Sequence, residues 1–222
     1  VNAVTLDHVV LICDPGAPQA DALRAQGLTE GSGNVHPGQG TANRRFFFHN
    51  AYIELVWVSD LAESRSEPAF RTRLWERWLR RHEGACPFGI ALRPAQAHDE
   101  NAKPPFSIWS YYAPYLPPQV SIGIALATPL TEPEFLYLNF ATSPMSKARE
   151  PVDHPLGVRE ISAVRIGLPG GTPQSAASKA ALAGGIVSFY NSAAYEMQLA
   201  FDGGARHESA DLRPGLPLIL SW

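Results

Sequence analysis

Short apolar runs alternate with turn residues along the whole chain, and strand-like stretches outnumber helix-like ones. The first run, Leu6 to Leu11, is interrupted only at Asp7-His8 and stops at Asp14-Pro15-Gly16. Gly16-Ala17-Pro18-Gln19 then opens Ala20 to Gln26, a predicted helix closed by Gly27. Beyond a Gly-rich stretch, Arg44 to Phe48 and Tyr52 to Val58 read as two strands joined by a turn at His49-Asn50. Residues 1–60 therefore predict a β-α-β-β-β unit.

A similar order returns 155 residues later, with Ile161 to Ile166 as the strand, Gly171-Thr172-Pro173-Gln174 as the turn and Ser175 to Ala183 as the helix. At that offset Val9, Gly16, Pro18 and Gln19 meet Val164, Gly171, Pro173 and Gln174. Pro in a first helical turn and Gly past a helix end are each common, so the match rests on their order. Ile186 to Tyr190 and Tyr195 to Phe201 complete a second unit in residues 154–222.

The middle block, residues 61–153, opens with a predicted helix from Ser66-Glu67-Pro68 to Arg81. Phe70, Leu74, Trp75 and Trp78 share one stripe of it, and its arginines, Arg77 among them, read as a solvated outer face. Strands are predicted at 88–92, 121–127 and 135–140. Between the first two, Pro104-Pro105 and Pro117-Pro118 bracket the aromatic segment Phe106 to Tyr112, which reads as a loop or lid and not as a central strand.

Composition narrows the class. With 45% apolar and 18% charged residues the chain is globular, and 222 residues bury roughly 70% of the extended surface without a staple. The 20 Pro and 18 Gly, spread along the chain, exclude a helical bundle. A net charge of −3 argues against nucleic acid as the main partner. No apolar run has the length of a membrane-spanning helix, and no basic-then-apolar leader is evident. Two cysteines make neither a disulfide framework nor a zinc site. The expectation is a reduced, cytoplasmic protein. Neither Cys13 nor Cys86 has a histidine nearby in sequence, no Gly-x-Ser-x-Gly occurs, and His98-Asp99-Glu100 and His207-Glu208 are poor chelates in extended chain.

Leu6-Asp7-His8-Val9-Val10, the stretch His36 to Arg44, Tyr52-Ile53-Glu54-Leu55, His154-Pro155-Leu156-Gly157 and Phe201-Asp202-Gly203-Gly204 resemble glyoxalase-like domains of the vicinal oxygen chelate superfamily. The resemblance implies an α+β fold of paired βαβββ modules, whose curled mixed sheets surround a central cavity, here with a β-rich middle insertion. It also implies a divalent metal (Mn, Fe, Ni or Zn) that chelates vicinal substrate oxygens, with His8 and Glu54 at the ligand positions of the first module. The corresponding histidine position of the second module holds Ala163. That departure removes the four-ligand site of a glyoxalase I and the two-histidine site of an extradiol dioxygenase. Counting along the last strand, Glu54 corresponds to Glu196 or Gln198, which become the third ligand or the proton shuttle.

Period-two alternation puts Leu6, His8 and Val10 on one face and Tyr52, Glu54 and Val56 on another. His8 is either a ligand or a buried histidine bonded to backbone. A carboxylate between Ile53 and Leu55 is costly if buried unpaired, so Glu54 meets a polar cavity, a partner or a metal, or else faces solvent. The Gly-rich segment before Thr41 predicts a mobile loop at the cavity mouth, with Thr41, Asn43 and Arg44 as substrate contacts or turn-satisfying groups. Trp109, Tyr111 and Tyr112 cover a ligand or close the core.

Two functions remain. One is a metal-dependent lyase or isomerase acting on a small oxygenated metabolite. The other is a metal-free protein of the same fold that holds an aromatic ligand through Trp109, Tyr111 and Tyr195. A small-molecule partner is expected in both, with no nucleic acid and no membrane. Sheet edges and the Trp75/Trp78 stripe offer contacts for a homodimer.

Overall fold

A computed structural model of the chain describes residues 3–97, 99, 101–146 and 149–222. His98 and Glu100 lie outside the described residues. The architecture is the expected α+β one: a curled eight-stranded half-barrel and a second, five-stranded sheet.

The first unit comprises β1 (Val4–Ile12), α1 (Ala20–Ala25), β2 (Asn34–His36), β3 (Thr41–Phe47) and β4 (Tyr52–Val58). Two short helices follow, α2 (Leu61–Ser64) and α3 (Leu74–Leu79). The chain continues through β5 (Phe88–Pro94), β6 (Ile108–Tyr111), β7 (Ile122–Ala125) and β8 (Glu134–Tyr137). These eight strands form one mixed sheet in the order β2-β3-β4-β1-β5-β8-β7-β6. Antiparallel β1 and β5 sit at its centre, and β4 and β8 run parallel to them on either side. The sheet thus consists of two halves of identical strand order. The 88–137 block, and not the 154–222 unit, is the half that completes the cavity.

The C-terminal segment builds β9 (Ile161–Leu168), α4 (Ala176–Ala183), β10 (Ser188–Asn191), β11 (Glu196–Phe201), β12 (Ser209–Asp211) and β13 (Leu218–Ser221), in the order β10-β9-β11-β13-β12. Here β10 is the parallel partner of β9, while β11 is antiparallel to it. The topological counterpart of β4 is therefore β10, and the alignment of Glu54 with Glu196 or Gln198 on β11 is corrected.

Alternation along each strand divides the half-barrel into two faces. Val9, Leu11, Phe48, Ile53, Leu55 and Ile90 share one core with Val164, Ile166, Leu199 and Phe201 of the second sheet, and the Phe48 and Phe201 rings meet at 4.8 Å. The opposite, concave face holds the cavity.

The helix predicted over 66–81 is broken. A single 3-10 turn spans Ala69–Thr72, Arg73 turns left-handed at φ 57°, and α3 starts afresh at Leu74. Leu74 and Trp78 pack on Val10, Ile12 and Val56, so Trp78 is used inside the molecule. Arg77 is not solvated: it is 1% exposed and donates to the carbonyls of Cys86, Pro129, Leu130 and Glu132 and to the Glu134 carboxylate. No helix among the described residues is long and apolar enough to cross a membrane.

Candidate functional site

The concave face encloses a cavity of about 350 Å³ lined from both halves of the sheet. Its polar wall lies on β1 to β4 and carries Asp7, His8, His36, Asn43, Arg45 and Glu54. Ile122, Ile124 and Leu136 face it from β7 and β8, and Leu74 of α3 adds to the hydrocarbon lining.

One irregularity of β1 makes the polar wall. Leu6 pairs with Leu92 and His8 with Ala91, which leaves Asp7 as an extra residue in a bulge. The bulge shifts the alternation by one position. Val4 and Leu6 consequently belong to the core, whereas Asp7, His8, Val10 and Ile12 line the cavity. The expectation that Leu6 shares a face with His8 is corrected. A register shift also leaves Ser162 unpaired in β9, 155 residues on from Asp7.

Because of the bulge, two adjacent side chains meet. His8 Nδ1 lies 2.7 Å from Asp7 Oδ1, and His8 Nε2 lies 3.3 Å from Glu54 Oε2. The imidazole stacks on the Tyr52 ring at 4.3 Å. Behind Asp7, Arg93 Nε stands 3.6 Å from Oδ2. Charges alternate along the line Arg93, Asp7, His8, Glu54. Asn43 is oriented by the Asn34 backbone N–H, which donates to its Oδ1, so its amide nitrogen donates to Glu54 Oε1. Burial works against the charge on His8, but the hydrogen bonds and charges of Asp7 and Glu54 outweigh it and raise the imidazole to about 9. Burial likewise opposes the charge on Glu54, yet His8, His36 and Asn43 hold its carboxyl at about 2. At neutral pH the pair is an imidazolium and a carboxylate.

Two residues from opposite sheet edges close the curl. His36 on β2 stacks on Tyr115, just past β6, at 4.5 Å. Its Nδ1 meets the Thr41 hydroxyl at 2.9 Å, and Gln39 donates to the same hydroxyl. Gly38 and Gly40 adopt positive φ here, and a Cβ on Gly40 would clash with the Asp60 carbonyl oxygen. Thr41 is thus buried and structural.

The other expected site residues divide. Asn43 and Tyr111 line the cavity with His8 and Glu54. Arg44 does not: alternation on β3 turns it to the other side, where it pairs with Glu30 at 2.6 Å, and Arg45 takes the cavity position. Trp109 packs edge-on to Tyr111 under the Arg71 guanidinium and is not part of the lining. Tyr195 donates to the carbonyls of Gly84 or Thr131, away from the cavity. Glu196 and Gln198 belong to the second sheet, where both bond the Tyr190 hydroxyl and Glu196 also meets Arg213. Neither lies in the cavity lining, so neither serves His8 as third ligand or shuttle. The missed residues are Asp7, His36, Arg45 and Tyr115. Only Arg45 carried a usable signal, its two-residue spacing from Asn43.

A divalent metal on His8 and Glu54 would have one nitrogen and one oxygen donor from the protein. Resident catalytic zinc and non-haem iron centres take three protein ligands. Among the described residues no third His, Cys, Asp or Glu joins the pair to hold a metal. Asp7 is turned to the far nitrogen of His8, and Asn43 presents its amide NH2, a donor, to Glu54. The donor set does not fit a resident metal centre.

A curled sheet of two equal halves around a cavity is the architecture of a vicinal-oxygen-chelate-type domain. The match to the glyoxalase-like domain family covers residues 6–182, and the chain belongs to that family. A hypothetical protein from Staphylococcus aureus shares the fold over 98% of both chains at 12% identity and a TM-score of 0.55. A hypothetical protein from Bacillus halodurans aligns with 64% of this chain and 98% of its own at 10% identity, with a TM-score of 0.40. No curated protein matches the sequence.

Proposed function

We propose that the protein is a lyase or isomerase that binds a small carbonyl-containing metabolite in the half-barrel cavity and transfers a proton between Glu54 and the carbon next to the carbonyl. The observation that carries this reading is the 3.3 Å approach of His8 Nε2 to Glu54 Oε2 on a buried wall of the cavity. A substrate oxygen entering between them takes the Nε2 hydrogen bond. Glu54 then loses its strongest partner and keeps the Asn43 hydrogen bond, and with that counter-charge engaged elsewhere its burial makes it a stronger base. It accepts the proton from the α-carbon. The C–H electron pair forms the enolate double bond, and the imidazolium donates to the enolate oxygen. With an α-hydroxycarbonyl substrate the imidazolium protonates the enolate oxygen, and the freed imidazole takes the proton of the adjacent hydroxyl. Return of the proton from Glu54 to the former carbonyl carbon then completes an isomerisation; departure of a β-substituent with its bonding electrons from the enolate completes an elimination. Asp7 keeps the ring oriented throughout.

The experiment is proton exchange in D2O, followed by NMR, on small α-hydroxycarbonyl compounds and aryl methyl ketones. Exchange faster than in buffer, lost in Glu54→Gln and His8→Ala, is the expected result. Exchange unaffected by either change overturns the reading. The alternative, a metal-free binding protein, is favoured by the hydrocarbon lining from β7, β8 and α3, and would show ligand binding without exchange.

A further inference from the structure

One row of register partners crosses the cavity floor and ends on a carboxylate at each side. Glu54 on β4 pairs with Val10 on β1, Val10 with Gly89 on β5, and Gly89 with Glu134 on β8. All four residues line the cavity. Three strand steps of about 4.8 Å put the Cα atoms of Glu54 and Glu134 about 14 Å apart along the sheet, and the curl brings them closer. Ile90 belongs to the core, so alternation turns Gly89 to the cavity, where it and Val10 form an apolar floor between the two acids.

The acid–base scheme makes no use of Glu134. Arg77 holds one of its oxygens, Oε2, with Nε at 3.2 Å and Nη2 at 3.1 Å. Burial raises the Glu134 carboxyl above its ordinary range, against the pull of Arg77. Arginine keeps its charge, so Glu134 serves as its counter-ion. Protein surrounds the Glu134 side chain, yet 17% of it stays accessible, and the accessible part is where it lines the cavity. What opens there is a carboxylate, which accepts hydrogen bonds and donates none.

Resting on the carbonyl-binding reading above, we infer that Glu134 is a second binding residue of the cavity, and that the ligand carries a hydrogen-bond donor, a hydroxyl or amino group, at the end remote from its carbonyl. The ligand lies along the row, with its carbonyl at His8 and Glu54, a flat apolar body over Val10 and Gly89, and its donor at Glu134. One six-membered ring with two para groups, and a hydrogen bond of about 2.9 Å at either end, has that reach. A ligand without the donor strips water from the carboxylate and gives nothing back, which makes the site selective.

The test is calorimetric titration of the purified chain with 4′-aminoacetophenone and 4′-methylacetophenone, which are alike in shape and differ in the donor. The wild type should bind the amino ketone about tenfold more tightly or better, the size of one hydrogen bond to a charged acceptor. In Glu134→Gln, Arg77 claims the amide oxygen and the amide NH2 meets the ligand's donor, so the preference should fall within about twofold or reverse. Gly89→Ala sets a methyl group on the floor, 3.1 Å from Val10 Cβ, and should weaken both ketones about fivefold or more. Equal wild-type affinities, an undiminished preference in Glu134→Gln, or unaltered binding in Gly89→Ala overturns the inference. The wild type and Gly89→Ala decide it if Glu134→Gln does not fold. Proton exchange is a separate readout. A Glu134-dependent preference without exchange upholds this inference and removes the enzymatic reading. Exchange without the preference does the reverse.

Discussion

His8 Nε2 reaches Glu54 Oε2 at 3.3 Å even though the two residues are not partners in the β1–β4 ladder. His8 stands opposite Tyr52, and Glu54 stands opposite Val10. The contact is a diagonal one on the concave face, within reach of long side chains in a twisted sheet. It places a cation and an anion in the wall of an otherwise largely apolar cavity, where each depends on the other.

That dependence predicts how the pair responds to mutation. His8→Ala leaves Glu54 buried without its counter-charge and should cost about 3–5 kcal/mol of folding stability. Glu54→Gln leaves the imidazolium with Asp7 and should cost less, about 1–3 kcal/mol. The double variant should be more stable than the sum of the two losses implies. Urea denaturation of the three variants measures this, and strict additivity would show that the two side chains are not coupled.

Stability should depend on pH through the same pair. His8 is raised to about 9 in the folded state, so its contribution is complete below the ordinary value near 6.5 and is lost as the pH climbs through 9. Glu54 is lowered to about 2, so its contribution is complete above 4.5 and is lost as the pH falls through 2. The pair therefore stabilises the fold fully between about 4.5 and 6.5. Wild-type melting temperature should decline from pH 6.5 to 9 more steeply than that of Glu54→Gln; parallel profiles would remove the pair as the cause.

Metal uptake separates the donor set seen here from the centre that the resemblance implies. With two protein donors, the chain purified without chelator should retain well below one equivalent of Mn, Fe, Ni or Zn after dialysis. About one equivalent, retained by the wild type and lost in a His8→Ala, Glu54→Gln variant, would establish a metal centre and replace the acid–base scheme.

Arg77 ties α3 to the start of β5 and to the 129–134 segment, so its loss should be structural. Arg77→Met keeps the apolar stem but strands four carbonyls and the Glu134 carboxylate, and should cost about 3–5 kcal/mol. Differential scanning calorimetry should show a lower melting temperature; an unchanged one would mean that the carbonyls find other donors.

Most of what is local was legible in the chain. The strands around Val9, Ile53, Ile90 and Leu199 and the two helices opened by Gly-x-Pro-Gln turns follow from residue type and period, whereas His8 and Glu54 as a candidate couple come from the resemblance to glyoxalase-like domains. For Glu54 the pattern left two outcomes, a partner in a polar cavity or solvent, and the contact with His8 decides for the first. What escaped depends on contacts between distant segments. Among the described residues the 88–137 block has no helix between its first two strands, so no sequence signal marks it as the partner of residues 1–60. The bulge at Asp7 changes which residues face the cavity without changing the hydrophobic pattern, because Asp7 and His8 are both polar. Arg77 looks like its exposed neighbours until five acceptors from other segments surround it.

The sequence by itself determined the α+β class, the positions of the central strands and of the two helices after the Gly-x-Pro-Gln turns, and the chemistry available on β1 and β4, because backbone propensity and side-chain period act over a few residues. Tertiary structure alone decided which half-sheet closes the cavity, that Arg45 and not Arg44 faces into it, and that Glu196 and Gln198 stay on another sheet. Those outcomes depend on strand order and register, which are settled by pairing and packing between segments far apart in the chain.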